Sequence, residues 1–84
     1  MIQQTSLLAY SEVLIGLNEK QQRVLEAIIS LGDCYDQKIA DHLKWTINCV
    51  TPRRLELLES GKIENIGLLK NKSNRSVMGW RAII

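Results

Sequence analysis

The sequence predicts one small α+β domain, helical through its first two-thirds and closing with a β-hairpin. Three observations point there. From Leu7 to Leu58 the apolar residues recur at three- and four-residue spacing, the period of a helix with one buried side. After Gly61 the period changes: Met78, Trp80, Ala82 and Ile84 alternate with Val77, Gly79, Arg81 and Ile83, as in a strand with two faces. Between the two late apolar runs, Lys70-Asn71-Lys72-Ser73-Asn74-Arg75-Ser76 is wholly polar, the composition of a hairpin tip. At 84 residues there is room for one such domain, with a single small core and modest stability.

The elements follow in order. Leu7, Leu8, Val13, Leu14 and Leu17, with Tyr10 among them, predict a helix near 6–15 ended by Gly16. This apolar segment either covers the back of the domain or meets a second copy, which would make a homodimer. Asn18 and Gln21 have the spacing of a capping box, and Val24, Leu25, Ile28 and Leu31 repeat behind it up to Gly32. That predicts a helix at Glu19–Leu31. Asp33-Cys34-Tyr35 is long enough only for one brief strand. Asp36 is the expected cap of a short helix over 37–44 that turns Ile39, Ala40 and Leu43 inward. Lys44-Trp45 supplies the turn and Thr46 the cap of the next helix, which Gly61 closes. Two helices so joined have helix-turn-helix geometry, and the small Ala40 lets them approach closely.

The helix over 46–61 is expected to bury Ile47, Val50, Leu57 and Leu58 and to expose Asn48, Thr51, Arg53 and Glu56. Pro52 conflicts with it, since proline lacks an N–H and disfavours helix at Thr51, so the first turn is expected to be irregular or kinked. Arg54 falls inside the apolar arc. Either the helix is rotated, as Leu55 just off that arc suggests, or Arg54 lays its aliphatic stem across the core edge with its head outside. Ile63, Ile66, Leu68 and Leu69 predict the first strand of the hairpin and 77–83 the second.

Charge separates along the chain. Residues 1–43 hold three Lys or Arg against six Asp or Glu, and residues 44–84 hold eight against three, so a net +2 conceals halves of −3 and +5. The second half therefore offers a surface for anions. Two cysteines without CxxC spacing and one histidine make neither a disulfide scaffold nor a zinc site, so no metal or cofactor is expected. No run approaches the ~18 apolar residues of a membrane span, and the first residues are not a basic signal-peptide start. The expectation is a cytoplasmic protein with no membrane partner. A glycine-rich phosphate loop, a nucleophile with its base and a metal motif are all missing, which argues against an enzyme.

The stretch Ile39-Ala40-Asp41-His42-Leu43, then Thr46-Ile47-Asn48-Cys49-Val50-Thr51-Pro52-Arg53, Glu56-Leu57 and Gly61-Lys62-Ile63, resembles the MarR-like class of winged helix-turn-helix domains. The INxVTPR run, the Asn74-Arg75-Ser76 of the tip and the closing Trp80-Arg81-Ala82 are closer still to small winged-helix proteins of phages and prophages, as are Ala9-Tyr10 and Gln21-Gln22-Arg23-Val24-Leu25. One departure is Arg54, which stands where that pattern usually has a branched apolar residue. The resemblance implies a winged-helix domain over 1–84, with 1–16 as a helical extension and 62–84 as the wing. It also implies sequence-specific binding to double-stranded DNA in a bacterial or phage-infected cell, in transcription or replication. Asn48, Thr51 and Arg53 would then face the major groove, with Lys70, Lys72 and Arg75 in the wing.

The residue types suit those roles. Lys44, Lys70, Lys72 and Arg75 are cations for phosphates, and Thr46 opens a helix start that can receive one. Arg53 matches guanine and Asn48 adenine, while Thr51 offers a methyl and a hydroxyl. Arg54 and Ser73 complete the candidate set. Each has a plainer reading: Asn48 satisfying the helix start, Arg53 pairing with Glu56 or Glu59, the wing lysines keeping an exposed hairpin soluble. The alternative function is a winged-helix module that binds a protein. Single-strand or RNA binding is disfavoured by the absence of Phe and the shortage of stacking aromatics.

Overall fold

The computed structural model describes residues 16–83; the helix expected near 6–15 and Ile84 lie outside the described residues. Three helices, α1 (Glu19–Leu31), α2 (Asp36–Leu43) and α3 (Ile47–Glu59), precede an antiparallel hairpin of β1 (Ile63–Lys70) and β2 (Ser76–Ala82). The α+β class is as the sequence predicts. No helix among the described residues is long and apolar enough to cross a membrane.

Local chemistry writes α1 almost completely. The Asn18 side chain accepts the Gln21 N–H at 2.8 Å, and the Gln21 side chain accepts the Asn18 N–H at 3.0 Å. Such a reciprocal cap contributes about 1 kcal/mol. At the other end Gly32, at φ 75°, releases the chain while its N–H still bonds the Ile28 carbonyl. The buried side carries Val24, Leu25, Ala27 and Ile28.

The caps of α2 and α3 differ from expectation. Tyr35, not Asp36, is the N-cap of α2, with no side-chain cap bond; Asp36 is the first helical residue and turns its carboxylate toward α3. Thr46 is the N-cap of α3 by backbone only, since its hydroxyl is directed at the Cys49 sulfur, 3.4 Å away. The helix runs unbroken through Pro52. Irregularity shows instead as a tightened bond from Cys49 N–H to the Thr46 carbonyl (3.0 Å) and in the Asn48 carbonyl, which Pro52 has no N–H to serve. At its end, Gly61 N–H bonds Leu58 C=O and Lys62 N–H bonds Leu57 C=O, a Schellman closure made possible by Gly61 at φ 73°.

The core joins α1, α2 and α3 to the hairpin through Leu25, Ile28, Ile39, Val50, Leu57, Ile63 and Trp80. Ile47 is not part of it: 39% of this residue is exposed, because Val50 and Leu57 define a buried side centred away from it. The brief strand expected at Cys34 is one bridge to β2, with Cys34 N–H donating to Trp80 C=O (3.1 Å) and Trp80 N–H to Cys34 C=O (2.7 Å). Burial pushes the Cys34 thiol up to about 11, so it packs as a neutral group.

The hairpin registers Ile63 with Ala82 and Lys70 with Ser76, so the connection is only 71–75, shorter than the polar run suggests. Register shifts between Asn65 and Gly67, where Gly67 adopts φ 91°. Opposite it, Gly79 leaves no space for a Cβ: one would lie 2.7 Å from Leu69 Cγ and 2.9 Å from Ile66 Cγ1. Trp80 and Ala82 turn inward and Arg81 and Ile83 outward, as read from the sequence, but the pattern of burial breaks before them: Met78, expected on the face of Trp80, is 49% exposed, and Gly79 is buried under Leu69 and Ile66.

Candidate nucleic-acid interface

The hairpin tip comes to rest beside α2 and the start of α3. Lys72 Nζ at the tip lies 3.7 Å from Asp41 Oδ2 on α2. Between the tip and the helices runs a groove of about 530 Å³, lined by Tyr35 and Ile47 on the helical side and by Asn71 and Met78 on the hairpin. Asn71 shapes the tip. Its side-chain oxygen accepts the N–H groups of both Ser73 and Arg75 at 2.9 Å, and Asn74 takes the left-handed conformation at φ 61°. Lys70, Lys72, Ser73 and Arg75 are exposed around it.

Arg54 is held inside this arrangement. Its Nε donates to Asp36 Oδ1 at 2.9 Å and Nη2 to Oδ2 at 3.0 Å, and its guanidinium stacks on the Trp80 ring, 4.2 Å from the centroid. Thr51 donates its hydroxyl to the same carboxylate at 2.9 Å. The two side chains of the ion pair are only 14% and 17% exposed. The stem crosses the core edge as one reading of the sequence has it, but the head is not outside. Releasing it would strand Asp36 at a cost of about 3–5 kcal/mol, more than the roughly 1–3 kcal/mol of a guanine contact.

Arg53 is engaged on the opposite flank. Its Nη1 donates to both oxygens of Glu56, at 2.9 and 3.0 Å, and Glu56 also accepts from Gln21 Nε2 at 3.0 Å. The glutamine of the α1 capping box is thereby tied to α3. These bonds, the Arg53 pair foremost, hold the Glu56 carboxyl below its ordinary range. Arg53 Nε is buried with no partner among the described residues. Five residues on from Asn48, Arg53 sits about 140° around the helix from it.

No protein-family model matches the chain, and neither does any curated protein.

The outward side of α3 is consequently Asn48, Cys49, Pro52, Leu55 and Glu59, all exposed, with Ile47 at its edge toward the groove. No arginine lies on it. Of the candidates, Arg54 and Ser73 line the groove, Thr51 shares the Asp36 carboxylate with Arg54, Lys72 reaches Asp41 on α2, and Thr46 and Asn48 stand at the start of α3 beside Ile47. Arg53 is not brought there. Lys44, Lys70 and Arg75 make no ion pair among the described residues. Lys70 Nζ reaches only the Ser76 hydroxyl among the described residues, at 3.2 Å. Lys44 is unusual in its backbone, left-handed at φ 60° and ψ 37° where α2 ends.

Two residues escaped the sequence reading. Asp41 contacts Lys72 and accepts from Gln37, but nothing local in the sequence joins it to a hairpin thirty residues away. Asn71 was legible in principle, since asparagine at the start of a turn commonly bonds the backbone two residues on.

Proposed function

We propose that the chain is a winged helix-turn-helix domain that binds double-stranded DNA, with α3 as the helix presented to the major groove and the hairpin as a wing on the backbone. One observation carries this reading: the Lys72–Asp41 contact and the shared groove bring a cationic hairpin tip and the start of α3 to one exposed flank. Lys44, Lys70, Lys72 and Arg75 would bear on phosphates, and the start of α3 on base edges. Arg54 drops out of the contact set and becomes a positioning residue, because Asp36 and Trp80 occupy it. Sequence-specific control of transcription or replication, as in the phage proteins the chain resembles, is the fitting role.

The test is a duplex-binding titration across salt concentrations. Four phosphate contacts would give a log–log slope near −3.6, at about 0.9 per contact. Lys72→Ala and Arg75→Ala should each flatten it by about 0.9. Slopes unchanged in both variants would remove the wing from the mechanism.

A second reading has its own support. Pro52 and Leu55 are exposed on the outward side of α3, Leu55 to 45%, and Glu59 adds a negative charge there. That surface suits a protein partner better than phosphates. Failure to shift any duplex at low salt would favour a protein-interaction module.

A further inference from the structure

Resting on the DNA-binding reading, we propose that α3 selects an A·T-bearing site through Asn48 and Ile47, with no arginine–guanine contact. The two arginines of this helix are each spoken for by a carboxylate, Arg53 by Glu56 and Arg54 by Asp36, and neither lies on the outward side. Cations of the hairpin and turn touch phosphates, which carry no sequence information directly. Base choice therefore falls to the first turn of α3. Asn48 is the second residue of that helix, exposed, and its side chain makes no hydrogen bond among the described residues. A carboxamide offers one donor and one acceptor side by side, the complement of adenine N7 and N6 in the major groove.

Ile47, the first residue of α3, presents a branched apolar side chain at the edge of the groove that also holds Met78. An exposed aliphatic group at a helix start has one matching partner among base edges, the thymine C5-methyl. The other candidates are poorly placed. Thr46 directs its hydroxyl at Cys49, and Thr51 gives its hydroxyl to Asp36.

The experiment is selection of duplexes from a random pool by the full chain at low salt, repeated with Asn48→Ala, Ile47→Ala and Arg53→Ala. The expected motif contains an adenine whose preference over guanine falls about 5- to 150-fold in Asn48→Ala. A neighbouring thymine should be relaxed in Ile47→Ala. Replacing that thymine by uracil, which removes only the methyl, should weaken binding by the wild type and leave Ile47→Ala unaffected. A required guanine that becomes dispensable in Arg53→Ala would overturn the inference while leaving DNA binding intact. Binding without any enriched motif would overturn it too. Absence of binding to every duplex would overturn the DNA reading itself.

Discussion

Arg54 of α3 lies over the ring of Trp80 of β2 while its guanidinium is gripped by Asp36 at the start of α2. One side chain thus ties together a strand and two helices. Because the pair is mostly out of water, Arg54→Ala or Asp36→Ala should each destabilise the domain by about 3 kcal/mol, chiefly by stranding the other charge. The double variant should cost at least 1 kcal/mol less than the sum of the singles. Urea denaturation of the three proteins measures this; strict additivity would mean the two groups act independently.

Lys44 holds a left-handed backbone that an L-residue adopts at a cost of roughly 1 kcal/mol. Lys44→Gly should recover most of that and raise Tm by about 4–8 °C per kcal/mol. Under the proposed function the same substitution should weaken duplex binding and flatten its salt dependence by about one phosphate contact. A variant that is more stable and binds less well would show that strain is tolerated there for the sake of the cation.

Gly79 meets Leu69 and Ile66 at distances no Cβ tolerates. Gly79→Ala should cost about 1–3 kcal/mol through overpacking, and Gly79→Val more. Amide exchange should quicken first in β1 and β2, with α1 protected longest. Equal loss of protection everywhere would indicate that the hairpin and helices open as one unit.

Stability should fall in acid. Asp33 is held below the ordinary carboxylate range by its hydrogen bond to Arg81, and Glu56 by its bonds to Arg53 and Gln21. A carboxyl depressed in the folded state binds fewer protons there than in the unfolded chain, so its contribution is complete above about pH 5 and is lost as pH falls through its folded pKa. Thermal unfolding followed from pH 7 to pH 3 should show a falling Tm, with a shallower decline in Asp33→Asn and Glu56→Gln. Both carboxylates are solvent-accessible, and the effect should shrink in added salt.

What could be read from the sequence was what neighbours in the chain decide. The box of Asn18 and Gln21, the Gly32 and Gly61 stops and the alternation from Trp80 to Ile83 are local grammar, and each stands where expected. Misreadings came where a distant partner outbids a local one. Asp36 has the chemistry of a cap, yet α3 brings Thr51 and Arg54 to it, and two charge-assisted bonds outweigh one capping bond. Pro52 should disturb a helix, but packing of Val50 and Leu57 in the core holds the turns on either side of it. Ile47, expected inside, is exposed: periodicity fixes a helix's apolar arc only to within a residue or so. Of the candidate contacts, the exposed cations were legible from composition. The Arg53–Glu56 pair was legible as well, because its partner lies one turn on in the same helix; the fate of Arg54 was not, because its carboxylate comes from α2.

Cys34 and Trp80 exchange both of their backbone bonds across 46 residues of chain. In the growing chain α1 and the Cys34 segment are therefore made before the strand that pairs with them. Until β2 arrives, the pocket awaiting Trp80 stays open and apolar, and it is then that the nascent chain is most exposed to chaperones and to self-association.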